Sequence, residues 1–178
     1  MNLAEMLIAF VADILNPALT LILAVCWVAG LWLILLTALR MLKHSDSFGK
    51  GAPPASLGTL VTFLAGVALL QLPSWLGATV TTMFGTGDLH RTATLGYATS
   101  LDSPFDGLLA AVFAIVSLVG LIAFVRGIFV LRACSDGKPS ATAGSAAMHM
   151  LGGAAAWHIV AIIDALQTTL GIRVLAIS

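Results

Sequence analysis

The feature that most constrains this chain is a long run without any charged side chain, from Leu19 to Leu39. A helix of that length, rising about 1.5 Å per residue, crosses a hydrocarbon core of about 30 Å. Only 9% of the 178 residues are charged and 60% are hydrophobic, whereas a soluble domain carries about 25% charged residues. The sequence therefore predicts an all-α integral membrane protein, whose backbone polar groups are satisfied inside its helices.

Three further apolar runs follow, at Leu57–Phe84, Leu108–Leu131 and about Ala146–Ile172. Together with the first run they predict four transmembrane helices. Gln71 and Pro73 interrupt the second run near its far end. A kink is expected at Pro73, because the proline ring clashes with the carbonyl group four residues earlier.

Residues 1–16 are expected to form a separate amphipathic helix that lies in the membrane interface. Its predicted apolar face comprises Leu3, Met6, Leu7, Phe10, Val11 and Leu15, with Glu5 and Asp13 off that face. The stretch contains no Lys or Arg, so it lacks the positive region of a signal peptide and is expected to be retained. Asn16-Pro17 is expected to restart the helix, because proline is tolerated in a first helical turn.

Two segments of the chain resemble each other at nearly constant spacing. The stretch from Gly30-Leu31 to Ser45-Asp46 matches the stretch from Gly120-Leu121 to Ser135-Asp136 at an offset of 90 residues. The following apolar runs match at an offset of 87, where residues 64–68 meet residues 151–155. The pattern predicts two parallel-repeated helical hairpins, although similar composition alone is an alternative explanation.

The predicted organisation is thus an interfacial helix (1–16), a first hairpin (17–84), an extracytoplasmic linker (85–106) and a second hairpin (107–178). Basic residues concentrate in the turns within the hairpins, namely Arg40, Lys43 and Lys50 in the first, and Arg132 and Lys138 in the second, with Arg126 just inside the membrane. The linker and the C-terminal tail hold one arginine each. By the positive-inside rule both basic turns are cytoplasmic, and both termini lie on the far side.

Ionisable residues inside predicted spans are the first candidates for function. Arg126 and His149 are expected at similar depth near the cytoplasmic face, where a basic pair suits an anionic lipid headgroup. The alternative for Arg126 is simple snorkelling of its side chain toward water.

A second candidate is a stripe of small and polar residues on the last helix, expected to be a helix-packing or assembly face. Its members are His149, Gly152, Gly153, Ala156, Val160, Ile163, Asp164 and Gln167. Asp164 has three open interpretations: a water-touched carboxylate at a helix seam, a proton relay, or an inter-subunit contact. His158 is expected on a different face.

Several function classes find no support in the sequence. The formal net charge is zero, so the chain offers no basic field for nucleic acid. It has no glycine-rich phosphate loop and no metal-ligand spacing, and Cys26 and Cys134 are expected to stay reduced at different depths. We therefore expect a protein without enzymatic activity, metal or organic cofactor.

The segment Leu151–Ile172, LGGAAAWHIVAIIDALQTTLGI, resembles the last helix of small inner-membrane proteins of type IVB secretion and conjugation systems, the IcmC/DotE/TraQ group. The predicted layout also resembles two fused type IV pilin hairpins. The resemblance implies a non-enzymatic component of the bacterial inner membrane or an extracellular pilus, with bound phospholipid. It also implies a homo-oligomer or helical filament, other type IV secretion proteins as partners, and basic turns that line a lumen.

Three hypotheses follow. The first is the structural, pilin-like or channel-associated component just described. The second is a small proton-coupled transporter that uses Asp164. The third is an accessory subunit of a larger membrane complex, bound through the N-terminal helix.

Overall fold

The computed structural model of the protein describes residues 3–45, 57–84 and 104–171. Within these ranges the chain is helical apart from short turns, and no strand occurs there. The prediction of an all-α protein is therefore confirmed. The predicted linker lies outside the described residues, except for its last three positions, which already belong to a helix that begins at Pro104.

The first helix, α1, runs from Leu3 to Ser45 and contains Pro17 in its interior. The expectation of a separate helix that ends before Asn16-Pro17 is wrong, because the helix is continuous there. An interior proline removes one backbone N–H and crowds the carbonyl of Asp13. The long flanking helical segments still satisfy nearly all backbone groups, which favours continuation in an apolar environment. Of the predicted apolar face, Leu15 is buried, whereas Met6 and Phe10 are exposed.

The second predicted span is broken into α2, Leu57–Leu70, and α3, Leu72–Phe84. The axes of α2 and the first part of α3, Leu72–Thr79, differ by 96°. The kink is thus present, and its centre is Gln71 rather than Pro73. Pro73 instead occupies the first turn of α3, where a missing N–H costs little because first-turn N–H groups have no intrahelical acceptor.

The next helix, α4, runs from Pro104 to Ser135 and ends in a complete C-terminal cap. Gly137 adopts a φ of 76°, a conformation that favours glycine. The N–H of Lys138 donates to the carbonyl oxygen of Ala133 at 3.1 Å. The N–H of Gly137 donates to the carbonyl oxygen of Cys134 at 3.0 Å. These two bonds define a Schellman motif, which turns the chain sharply after α4.

Helix α5, Ala143–Trp157, starts at an N-cap. The hydroxyl of Thr142 accepts a hydrogen bond from the N–H of Ser145 at 3.2 Å, which satisfies a first-turn donor. Helix α6, Ile159–Leu170, follows after a break at His158. The break keeps its flanking bonds, from His158 N–H to the Ala154 carbonyl at 3.2 Å and from Ile162 N–H to the His158 carbonyl at 3.1 Å.

Two helical stretches are long and apolar enough to cross a membrane, Asp13–Lys43 in α1 and Ala111–Ser135 in α4. The bent pair α2–α3 adds a third if it counts as one span. Helices α5 and α6 contain 15 and 12 residues, and each is shorter than the roughly 20 residues that a span needs. The helices are compatible with a membrane location, and a fourth span stays a prediction.

The described residues form two compact units, each with its own buried core. One unit comprises the described parts of Met1–Leu19, Leu76–Ile122 and Gly152–Ser178. The other comprises the described parts of Thr20–Trp75 and Ala123–Leu151. Buried hydrophobic residues of the first unit include Leu15, Leu76, Ala111, Leu121 and Ala154, and those of the second include Cys26, Leu33, Leu69, Phe124 and Ile128.

Candidate functional site

The predicted packing face on α5 makes a close contact with α4 through glycine. A Cβ atom added at Gly120 would lie 2.6 Å from the Trp157 nitrogen and 2.7 Å from the Gly153 carbonyl oxygen. The Ala156 Cβ would be 2.8 Å away. Gly153 and Ala156 therefore pack inside the chain, in the small-residue manner typical of lipid-embedded helices.

The other members of that predicted face lie differently. Gly152 is exposed, and an added Cβ there would meet nothing within 4 Å. Asp164 and Gln167 belong to α6, but their side chains are outside the part of the structure that is described. The break at His158 divides the stripe between α5 and α6, so Asp164 and Gln167 are not on the same uninterrupted helix as Gly153.

Helices α1 and α2 make a contact of the same kind. A Cβ added at Gly30 of α1 would lie 2.8 Å from the Gly66 carbonyl oxygen, and one at Gly66 would lie 3.0 Å from the Gly30 carbonyl oxygen. Gly30 and Gly120 are 90 residues apart, and Gly66 and Gly153 are 87 apart. The two glycine contacts thus lie at the offsets found in the sequence, and the repeat of whole hairpins stays a prediction.

Several local hydrogen bonds of α2 and α3 recur 87 residues later in α5 and α6. The break at Gln71 corresponds to the break at His158, and each is flanked by matching bonds one turn before and after it. Thr62 Oγ1 donates to the Gly58 carbonyl at 2.7 Å. Its counterpart His149 bonds through Nδ1 to the Ser145 carbonyl at 2.8 Å. Sequence comparison alone did not locate the second break, because no proline or glycine marks it.

The carboxylate of Asp136 forms ion pairs with two of the basic residues at the helix ends. Asp136 Oδ1 lies 3.5 Å from Arg40 Nη1, and Asp136 Oδ2 lies 3.8 Å from Arg132 Nε. The first pair joins the end of α1 to the end of α4, whereas the second is a local pair within the end of α4 and its turn. Lys43 and Lys138 are exposed near the same ends, whereas Lys50 is outside the described residues. Asp136 thus neutralises part of the charge that was predicted to line a lumen.

Arg126 and His149 lie at one level of the α4–α5 pair. Gly127, next to Arg126, has Met150 Cγ and the Ala146 carbonyl oxygen within 3.0 Å of an added Cβ. Arg126 is exposed and His149 is half-buried. Since a carbonyl oxygen only accepts, His149 Nδ1 is the donor to Ser145, and Nε2 of the neutral ring is an acceptor. Arg126 is therefore the only donor of this pair toward an anionic headgroup while His149 is neutral.

Two buried polar atoms in one unit lack a hydrogen bond, Ser117 Oγ and His158 Nε2. The buried Thr37 and Thr62 donate instead to carbonyl groups one turn earlier, at 2.8 and 2.7 Å. Ser117 and His158 each lie within one turn of the Gly120–Trp157 contact. Ser117 was not identified from the sequence, where its only signal is a lone hydroxyl inside an apolar run.

Among the described residues, no group of three or more His, Cys, Asp or Glu side chains is placed to hold a metal ion. Comparison with protein-family models, with curated proteins and with solved structures found no match to this chain.

Proposed function

We propose that this chain is a non-enzymatic structural component of a bacterial membrane assembly, pilin-like or channel-associated. The observation that supports this most directly is the pair of glycine contacts, Gly30–Gly66 and Gly120–Gly153. Each allows two helix backbones to approach closely, which is how lipid-embedded helices associate without a hydrophobic driving force. A repeated unit with the same contact in each half is more typical of a structural subunit than of an enzyme with a single catalytic site.

The exposed surface of the helices supports a lipid-embedded role. Large apolar side chains are exposed along α1 and α4 at many positions, including Leu21, Val28, Trp32, Val119 and Ile122. Water-soluble proteins rarely expose contiguous apolar patches on this scale. The proposal therefore places the assembly in the inner membrane, with lipid as one partner and other copies of the chain as another.

The assignment to a type IVB secretion or conjugation system extends the resemblance of the last helix. In this proposal both basic turns are cytoplasmic or face a lumen, and the termini are extracytoplasmic. Bound phospholipid would meet Arg126, which is exposed at the level of His149. Other secretion proteins would be partners, and the filament or pilus form would follow assembly.

Electron microscopy of protein extracted from native membranes, with its lipids retained, tests the proposal. Ordered rings or filaments that contain this chain are the expected result, together with co-purified components of a secretion machine. Single chains at every concentration, both in detergent and in lipid nanodiscs, would contradict a building-block role.

The second candidate function is a proton-coupled transporter, and one specific observation favours it. Both halves contain a broken helix at corresponding positions, Gln71 and His158, and paired broken helices are a feature of secondary transporters. Proton flux into proteoliposomes would test this role. Flux that is lost in Asp164→Asn but kept in Asp13→Asn would support a transporter and argue against a purely structural protein.

A further inference from the structure

Two polar atoms without a hydrogen bond lie in the apolar core of one compact unit. They are Ser117 Oγ on α4 and His158 Nε2 at the break between α5 and α6. Protein covers both atoms, and Ser117 as a whole is only 6% exposed. A polar atom without a partner is costly in apolar surroundings, so a hydrogen-bonding ligand at these two atoms is strongly favoured.

Ser117 differs from two other buried hydroxyl groups of the described chain. Thr37 and Thr62 donate to carbonyl oxygens one turn earlier in their own helices, at 2.8 and 2.7 Å. Such a bond is the usual way in which a hydroxyl group inside a helix is satisfied. Ser117 Oγ makes no bond of this kind, so its hydroxyl group is free to bind a partner outside α4.

The register of the helices puts Ser117 and His158 at the same level. Gly120 of α4 contacts Gly153 and Trp157 of α5. Because the two helices run in opposite directions, the position one turn before Gly120 faces about residues 156–160. Ser117 is three residues before Gly120, and His158 is in the middle of the facing range. The two side chains therefore share a level, although they are not bonded to each other.

The surroundings favour a small neutral ligand that both donates and accepts hydrogen bonds. A hydroxyl group does both, and a neutral histidine ring has one donor and one acceptor nitrogen. An anion would meet no lysine or arginine among the described residues of this unit. A metal ion would find fewer protein ligands here than the three that an open zinc site has. The buried neighbours one turn away, Ala114 and Ala154, are short.

We propose that Ser117 and His158 together bind a water molecule inside this core, between α4 and the break in the α5–α6 pair. A break in a helix leaves backbone groups without an intrahelical partner, and these groups complete the two to four polar partners that a buried water needs. Ser117 is about 9 Å along α4 from Ala111, where the apolar span begins, so water has a short path from the interface.

The water site does not depend on whether the chain assembles or transports. In a transporter, bound water would put the His158 ring in contact with a proton carrier inside the membrane. In an assembly subunit, the same water would stabilise the packing of α4 on the broken helix pair.

Magic-angle-spinning NMR of the full-length protein in lipid bilayers, with isotope-labelled histidine, tests the site. Transfer of polarisation from water protons to the ring nitrogens at short mixing times detects bound water. The His158 signal is assigned by its absence in His158→Gln protein. We expect transfer to His158 in the wild-type protein and loss of that transfer in Ser117→Val, in which methyl groups replace the hydroxyl group and fill the space beside it.

The matched control is Ser74→Val, which makes the same change at an exposed helical position and should leave transfer to His158 unchanged. Ser117→Ala removes the hydroxyl group without adding bulk and should also reduce the transfer, so the test stands if the valine variant does not fold. A wild-type His158 ring that receives no polarisation from water would overturn the site. Equal transfer in the wild-type and Ser117→Ala proteins would also overturn it, and neither result would bear on assembly or proton flux, which are measured separately.

Discussion

Gly120 is the residue at which a single methyl group should disturb this protein most. Its Cβ would lie within 2.8 Å of two backbone atoms and of Ala156, and backbone atoms cannot rotate away as a flexible side chain can. We expect Gly120→Ala to destabilise the protein by about 1–3 kcal/mol, the usual cost of overpacking. Thermal unfolding in detergent, followed by circular dichroism, measures the change.

Gly152→Ala is the control for that experiment, since it is in the same helix pair and its added Cβ meets no atom within 4 Å. Alanine is favoured over glycine inside a helix by up to about 1 kcal/mol, so this variant should be neutral or slightly more stable. Equal losses in both variants would show that the glycine contact does not determine the packing of α4.

Asp136 should contribute little to stability despite its two arginine neighbours. Its contacts of 3.5 and 3.8 Å are partly exposed to solvent, and exposed ion pairs contribute about 0–1 kcal/mol. We expect Asp136→Asn to lower stability by less than about 1 kcal/mol at low salt, and by nothing measurable at high salt. Thermal unfolding at the two salt concentrations checks this, with Asp13→Asn as control; a large loss that salt does not reduce would contradict it.

At the scale of elements, the bend between α2 and α3 should depend on Pro73. Pro73 provides no N–H for the carbonyl of Leu69, and its ring disfavours a continuous helix. We expect Pro73→Ala to straighten the pair. Spin labels at Leu60→Cys and Ala78→Cys, both at exposed positions, would then move apart toward about 27 Å, the separation along a straight helix. An unchanged distance distribution would show that Gln71 and its surroundings set the bend.

The sequence predicted the existence of most helices but not their continuity. Uncharged apolar runs located α1, α2 and α4, since a helix is the default for such a run in lipid. The sequence predicted a helix start at Pro17 and a kink within one span at Pro73, yet α1 continues through Pro17 and a new helix begins just before Pro73. Both prolines are exposed, and the presence of proline alone does not determine whether a helix continues through it.

The candidate site was predictable only where it depends on spacing. Gly153 and Ala156 were expected on a packing face, and they do contact Gly120. The hydrogen bond from His149 to Ser145 and the lack of a partner at Ser117 depend on rotamers and on neighbours from other segments. Neither could be derived from one sequence.

For the whole molecule, the number of membrane crossings determines how the two halves are oriented. Two described helices are long and apolar enough to cross a membrane, or three with the bent α2–α3 pair, and we propose four crossings in two parallel hairpins. If α2–α3 entered and left on one side, the linker at residues 85–106 would lie on the same side as the first basic turn. The side on which each turn lies therefore decides whether the two halves have the same orientation.

The most direct test is labelling of single cysteines by a membrane-impermeant thiol reagent in intact cells, on the background of Cys26→Ala and Cys134→Ala. We predict that Lys50→Cys and Lys138→Cys react only after the cells are permeabilised, whereas Ala98→Cys in the linker reacts from outside. Reaction of Lys50→Cys and Lys138→Cys from opposite sides of the membrane would contradict the account of one hairpin repeated in parallel.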